Sequence, residues 1–151
     1  MSHTYSFEKL EVWQESRILV VWIYGITNKF PAEEKFGLVT QMRRASISVV
    51  SNLAEGSARK SSKEQAYFTQ LAFSSLIELL NQIIIASDLS YLSGEELSEG
   101  RLKIENLTKK ISALRNVQLA KLNSKLSTRI HLLIILLVFS RRYMPEPLRI
   151  F

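Results

Sequence analysis

The strongest constraint on this chain's fold is how rarely its helical periodicity is interrupted. Only five glycines and three prolines occur in 151 residues, and Pro31 with Gly37, Gly56, and Gly94 with Gly100 punctuate the sequence instead of scattering through it. Between them, apolar residues recur at helical spacing. Leu10, Trp13, Val20, Val21 and Tyr24 form a first stripe, and Val39, Met42, Val49, Val50 and Leu53 a second. Phe68, Leu71, Leu76, Leu79, Ile83 and Ala86 form a third, and Leu97, Ile104, Leu107, Ile111 and Leu114 a fourth. No alternating run bounded by hairpin turn residues competes with them.

The predicted fold is therefore all-α, an antiparallel up-and-down four-helix bundle, because short connections between long helices favour antiparallel neighbours. Pro31 with Glu33 and Glu34 is expected to open the second helix, since proline tolerates the first turn and acids favour its positive dipole end. Ser61 or Ser62 before Glu64 and Gln65 supplies acceptors for the third helix, and Ser93 before Glu95 and Glu96 does so for the fourth. Gly56 is expected to end or loosen a helix. Val12, Leu19, Ile23 and Ile26 form a second apolar face on the first helix, and Leu80, Ile84 and Ile85 one on the third. Two apolar faces exceed what one small bundle covers, so helices one and three are expected to make subunit contacts in a homo-oligomer.

The bundle is placed at residues 1–120, with 121–151 as a carboxyl-terminal extension. Within that extension, residues 130–139 read IHLLIILLVF. Ten residues cannot cross a hydrocarbon core of ~30 Å as a helix, which needs about 20, so no membrane partner is expected. The run can lengthen the fourth helix, pack on the bundle or lie between subunits, and nothing local decides which. Pro145 and Pro147 predict an extended tail beyond it.

With no cysteine, the chain has no disulfide framework, thiol nucleophile or thiolate zinc site. The amino terminus lacks the cationic start and apolar run of a secretory signal, so a cytoplasmic location is expected. His3 and His131 stand alone near opposite ends, and the paired acids sit at helix starts where the dipole accounts for them. No metal, no cofactor and no enzymatic site are expected.

The net charge of +6 is unevenly spread: residues 35–63 and 117–151 each carry +5, while 1–34 and 64–116 each carry −2. The first basic block closes on SNLAEGSARKSSK, residues 51–63. There Arg59, Lys60 and Lys63 outnumber the acids around small residues that allow close approach, and Arg43 lies upstream. These four are the candidate phosphate contacts, arginine by bidentate bonding and lysine as a point charge. Arg44, Glu55 and Arg59 fall in one quadrant of a continuous helix. With Asn52 and with Glu78 of the third helix, Arg44 and Glu55 are expected to form a polar network that holds helix register. Most aromatics fall within the apolar stripes, so contact to a nucleic-acid backbone is favoured over base reading.

The stretch from Phe7 to Leu80 closely resembles the four-helix bundle proteins known as 23S ribosomal RNA intervening-sequence proteins. The resemblance rests on Phe7, Leu10, Val12 and Trp13, then on Phe30, Pro31, Glu34, Phe36, Gly37 and Leu38. It continues through Gln41, Arg43, Arg44 and Ala45, then Ser48, Asn52, Ala54, Glu55, Gly56 and Arg59, and ends on Ser75, Leu76 and Glu78. It implies a basic helical bundle that assembles as a homopentamer, with no established enzymatic activity. The chain is also similar to the accessory variability proteins of diversity-generating retroelements, pentameric barrels that bind nucleic acid and a reverse transcriptase. RNA or DNA binding is thus the expected role. The alternative is a scaffold that engages a protein partner, such as a polymerase, without touching nucleic acid. From about residue 117 the sequence departs from the family pattern.

Overall fold

A computed structural model describes residues 3–143, with side chains through Leu137. Among them are four α-helices and no strand: α1 (Glu11–Thr27), α2 (Leu38–Ser57), α3 (Ser62–Asp88) and α4 (Gly94–Tyr143). Short 3-10 turns at Phe7–Lys9 and Ala32–Lys35 precede α1 and α2.

The second, third and fourth stripes face inward as expected. Met42, Leu76, Leu79 and Ile83 are fully buried, and Val49, Leu53, Ile104, Leu107 and Ile111 join them in one core. On α1 the two faces exchange roles. Val12, Leu19, Ile23 and Ile26 are buried, whereas Val21 is 69% and Tyr24 37% exposed. Ser16 and Thr27 share the buried face without leaving a polar group unmet. Their hydroxyls donate to the carbonyls of Val12 at 2.7 Å and Ile23 at 2.8 Å, so these polar residues enter the core already satisfied.

The first break also differs from expectation. Pro31, Glu33 and Glu34 do not open α2; they belong to the separate 3-10 turn, and Gly37 leaves the helical region at φ −95° and ψ −118° before Leu38 begins the helix. Glu34 still serves that terminus, because its carboxylate accepts the Leu38 amide at 2.9 Å. The caps of α3 and α4 are as expected. Ser61 Oγ accepts the Glu64 amide at 3.2 Å. Ser93 and Glu96 bond each other's amides at 3.1 and 3.0 Å.

Two glycines serve close approach, Gly56 at the end of α2, as expected, and Gly100 in the interior of α4. α2 runs past Gly56 to Ser57, and a Cβ at Gly56 would lie 3.0 Å from the Phe68 Cβ. Gly100 lies inside α4, where a Cβ would come within 2.9 Å of the Trp22 ring. Both let neighbouring helices pack more closely than any other residue would.

Each helix packs against two others, α1 on α2 and α4, and α3 on α2 and α4. Polar ties mark the seams. Ser48 and Ser75 hydroxyls meet at 2.9 Å between α2 and α3, and Thr69 donates to Gln118 at 2.9 Å between α3 and α4. Lys110 joins α4 to Glu11 and Glu15 of α1, and Lys29 reaches Glu96 from the other end of α1. The Lys110 hydrogen bond holds the Glu11 carboxyl below the usual carboxylate range, and the Lys29 bond with the Ser93 amide does the same for Glu96. A depressed carboxyl stabilises the fold above its unfolded value near 4.5 and loses that contribution as pH falls through the folded one. Acidification from pH 6 to pH 3 is accordingly expected to lower the melting temperature. Glu96→Gln should make that drop slightly smaller, because the pair contributes under about 1 kcal/mol with Lys29 largely exposed; calorimetry at both pH values checks it.

α4 continues without a break from the bundle into the apolar run, so within the described residues the run lengthens the fourth helix. Gln118 is buried and Leu122 half-buried, but every residue from Asn123 to Leu137 is exposed. Burial thus stops close to residue 120, although the helix does not. The segment expected to form an extended tail, 144–151, lies outside the described residues.

Candidate nucleic-acid interface

The basic cluster is built at the connection between α2 and α3. Gly56 allows close helix approach, Ser57 ends α2 and Ser61 caps α3, so only Ala58 to Ser61 bridge the gap. The bridge is pinned from both sides: the Arg59 amide bonds the Gly56 carbonyl at 3.1 Å, and Gln65 Nε2 donates to the Arg59 carbonyl at 2.8 Å. A short, pinned connection presents its side chains with little freedom to lose on binding.

Three of the four candidate phosphate contacts gather here. Lys60 and Lys63 are exposed, and neither has a hydrogen-bond or ion-pair partner among the described residues. Nearby acids are engaged elsewhere, Glu55 with Arg59 and Glu64 with Ser61 at 2.5 Å. Arg59 stacks its guanidinium 4.5 Å from the centre of the Phe68 ring while paired with Glu55, and its Nε is buried without a partner. It is a positioned cation. The two lysines are free ones.

Arg43 lies elsewhere, sixteen positions earlier and about 24 Å up α2. Its Nε donates to Thr27 Oγ1 at 2.9 Å, an Nη donates to Asn28 Oδ1 at 2.8 Å, and the guanidinium covers the Tyr24 ring at 4.6 Å. These bonds fasten the end of α1 to α2, occupy two of the five guanidinium donors and hold the group against α1.

The polar residues expected as one network fall into separate local sets. Asn52 donates to the Ser48 carbonyl at 2.8 Å and to its hydroxyl at 3.1 Å, and Ser48 continues to Ser75. Glu55 pairs with Arg59, which lies beyond the end of α2 instead of on one continuous helix. Glu78 accepts from Gln82 at 3.0 Å, and Arg44 lines an open groove beside Gln41, Ser48 and Glu78. The α2–α3 register is tied through Ser48 and Ser75, which the sequence marked as residues of the family pattern but not as partners of each other.

A second cationic group lies in the other basic block, residues 117–151. Lys121, Lys125 and Arg129 recur every fourth residue on one exposed face of α4, and no acid occurs from Asn106 to Leu137. The Thr69–Gln118 bond sets Gln118 level with a point seven residues into α3. Residue numbers rise on one helix as they fall on the other, since Gly100 approaches Ile83. α4 therefore draws level with the α2–α3 connection about 10 Å beyond Gln118. The charge of that block and the spacing of Lys121 and Lys125 were the available signal; the fold was needed to place them at the same end of the bundle as Lys60 and Lys63. Among the described residues no group of three His, Cys, Asp or Glu side chains could hold a metal ion.

A family model described as 23S rRNA-intervening sequence protein matches residues 8–113, which include α1, α2 and α3 and the packed first part of α4. No curated protein matches the chain.

Proposed function

Because the chain belongs to the 23S rRNA-intervening sequence protein family, we propose that it is a non-enzymatic, cytoplasmic protein that binds RNA or DNA as a homo-oligomer. Its helices follow up-and-down antiparallel order, and its copies form a pentameric ring. The opposed residue numbering of contacting helices supports the first statement. The exposed α1 side chains Ile18 and Val21 and the family resemblance support the second.

The observation that carries the reading is the pair of unpartnered lysines, Lys60 and Lys63, on a pinned connection whose neighbouring acids are already engaged. Each can meet a phosphate without first giving up an intramolecular partner. Repetition around a ring turns weak single contacts into linked ones. Contacts of this kind neutralise phosphates and release counterions, so they read charge and backbone spacing instead of base sequence.

Reversing both charges tests the reading. Lys60→Glu with Lys63→Glu should leave thermal unfolding unchanged, because neither side chain holds the fold. It should weaken binding to a short RNA or DNA duplex by on the order of tenfold to a hundredfold, and flatten the dependence of log affinity on log salt by about 0.9 per lost contact. Salt-titrated fluorescence anisotropy measures both. If the parent protein shows no salt-sensitive binding, the proposal fails and the protein-scaffold reading replaces it.

A further inference from the structure

We propose that the outer part of α4, from Lys121 to Leu137, docks on an anionic lipid surface. The expectation against a membrane partner rests on the length needed to span a bilayer, and that limit leaves open a helix end that enters one leaflet without crossing it.

The apolar residues on this segment are not a stripe. Leu132 to Leu137 are six consecutive apolar residues, each 52–63% exposed. Successive side chains step about 100° around a helix, so such a run is apolar on every side. A partner helix would cover one side and leave the rest in water, as the seam of a coiled coil does. The acyl chains of a leaflet surround an entering apolar segment on all sides at once. His131 interrupts the run, but its Nδ1 lies 2.9 Å from the Ser127 carbonyl, so part of its polarity is met within the helix.

Charge selects the kind of lipid. Lys121, Lys125 and Arg129 stand together on one exposed face beside the apolar run, and the helix from Asn106 to Leu137 contains no acid to offset them. Like charges one helical turn apart repel each other in the isolated helix, and anionic headgroups convert that repulsion into attraction. The cations would lie at the headgroup level while the residues beyond them enter the apolar boundary. The bundle itself would remain in water.

Flotation of the purified full-length protein with phosphatidylcholine vesicles, with or without phosphatidylserine, tests this. The parent should float with the phosphatidylserine vesicles, with a partition coefficient on the order of a hundredfold above that for phosphatidylcholine alone. Leu133→Glu with Leu136→Glu should remain in the lipid-free fraction and melt like the parent, since neither residue contributes to the core. Lys60→Glu with Lys63→Glu should float as the parent does, which separates this site from the proposed nucleic-acid contacts. The inference is overturned if the parent floats with neither vesicle or equally with both, if the leucine variant floats normally, or if the lysine variant is lost from the lipid. Absence of flotation together with a smaller mass for the leucine variant in light scattering would identify a second copy as the occupant instead.

Discussion

Replacing Leu79 with alanine is expected to lower the unfolding free energy by about 3 kcal/mol and the melting temperature by about 10 °C. Leu79 is fully buried on α3, the helix that packs against both α2 and α4. Removing its branched end deletes apolar contacts and leaves space that surrounding rigid helices fill only in part, so the transfer loss and the cavity act together. A core position nearer a helix end would collapse more readily. Leu79→Met keeps most of the volume and should cost less than about 1.5 kcal/mol. Chemical denaturation of both variants at one protein concentration checks the pair; equal destabilisation would contradict the packing described for this position.

The second large effect concerns assembly. Ile18→Asp with Val21→Asp should weaken self-association by about a thousandfold or more while each copy remains helical. The two side chains are 59% and 69% exposed and stand one turn apart on α1, so in a single copy they touch little and their replacement leaves the core intact. In an assembled ring they would be covered. Each substitution then forfeits about 1.5–3 kcal/mol of apolar burial and places a carboxylate where no cation awaits it. Together those losses exceed the ~4 kcal/mol that corresponds to a thousandfold in association. Nucleic-acid binding should weaken in the same variant, because separate copies no longer present their lysines together.

How much was legible in the sequence follows from how many readings each pattern allows. α2 and the packed part of α4 have one dominant apolar face, and α3 a main one with Leu80, Ile84 and Ile85 as a second beside it; in all three the buried residues match the main stripe. α1 has two, and the face interrupted by Ser16 and Thr27 is the one that packs, since hydroxyls can bond to their own helix and need no external partner. Gly56 does mark the end of α2, whereas Gly100 looks like a break and lies inside α4; the missing side chains of the two also make room for Phe68 and Trp22 on neighbouring helices. That information belongs to tertiary packing and has no local signature. The same division holds at the basic surface. Lys60 and Lys63 are close in sequence and could be seen as a group. The ties from Arg43 to Thr27 and Asn28, and the return of Lys121 and Lys125 to the same end, depend on how the helices pair.

The central claim is that copies of this chain join and so gather cations that are modest in any one of them. Multi-angle light scattering of the parent protein at micromolar concentration tests it most directly. The account predicts a mass that is a multiple of the 17.3 kDa chain, fivefold for the pentameric ring. A stable species of 17.3 kDa at that concentration would contradict it.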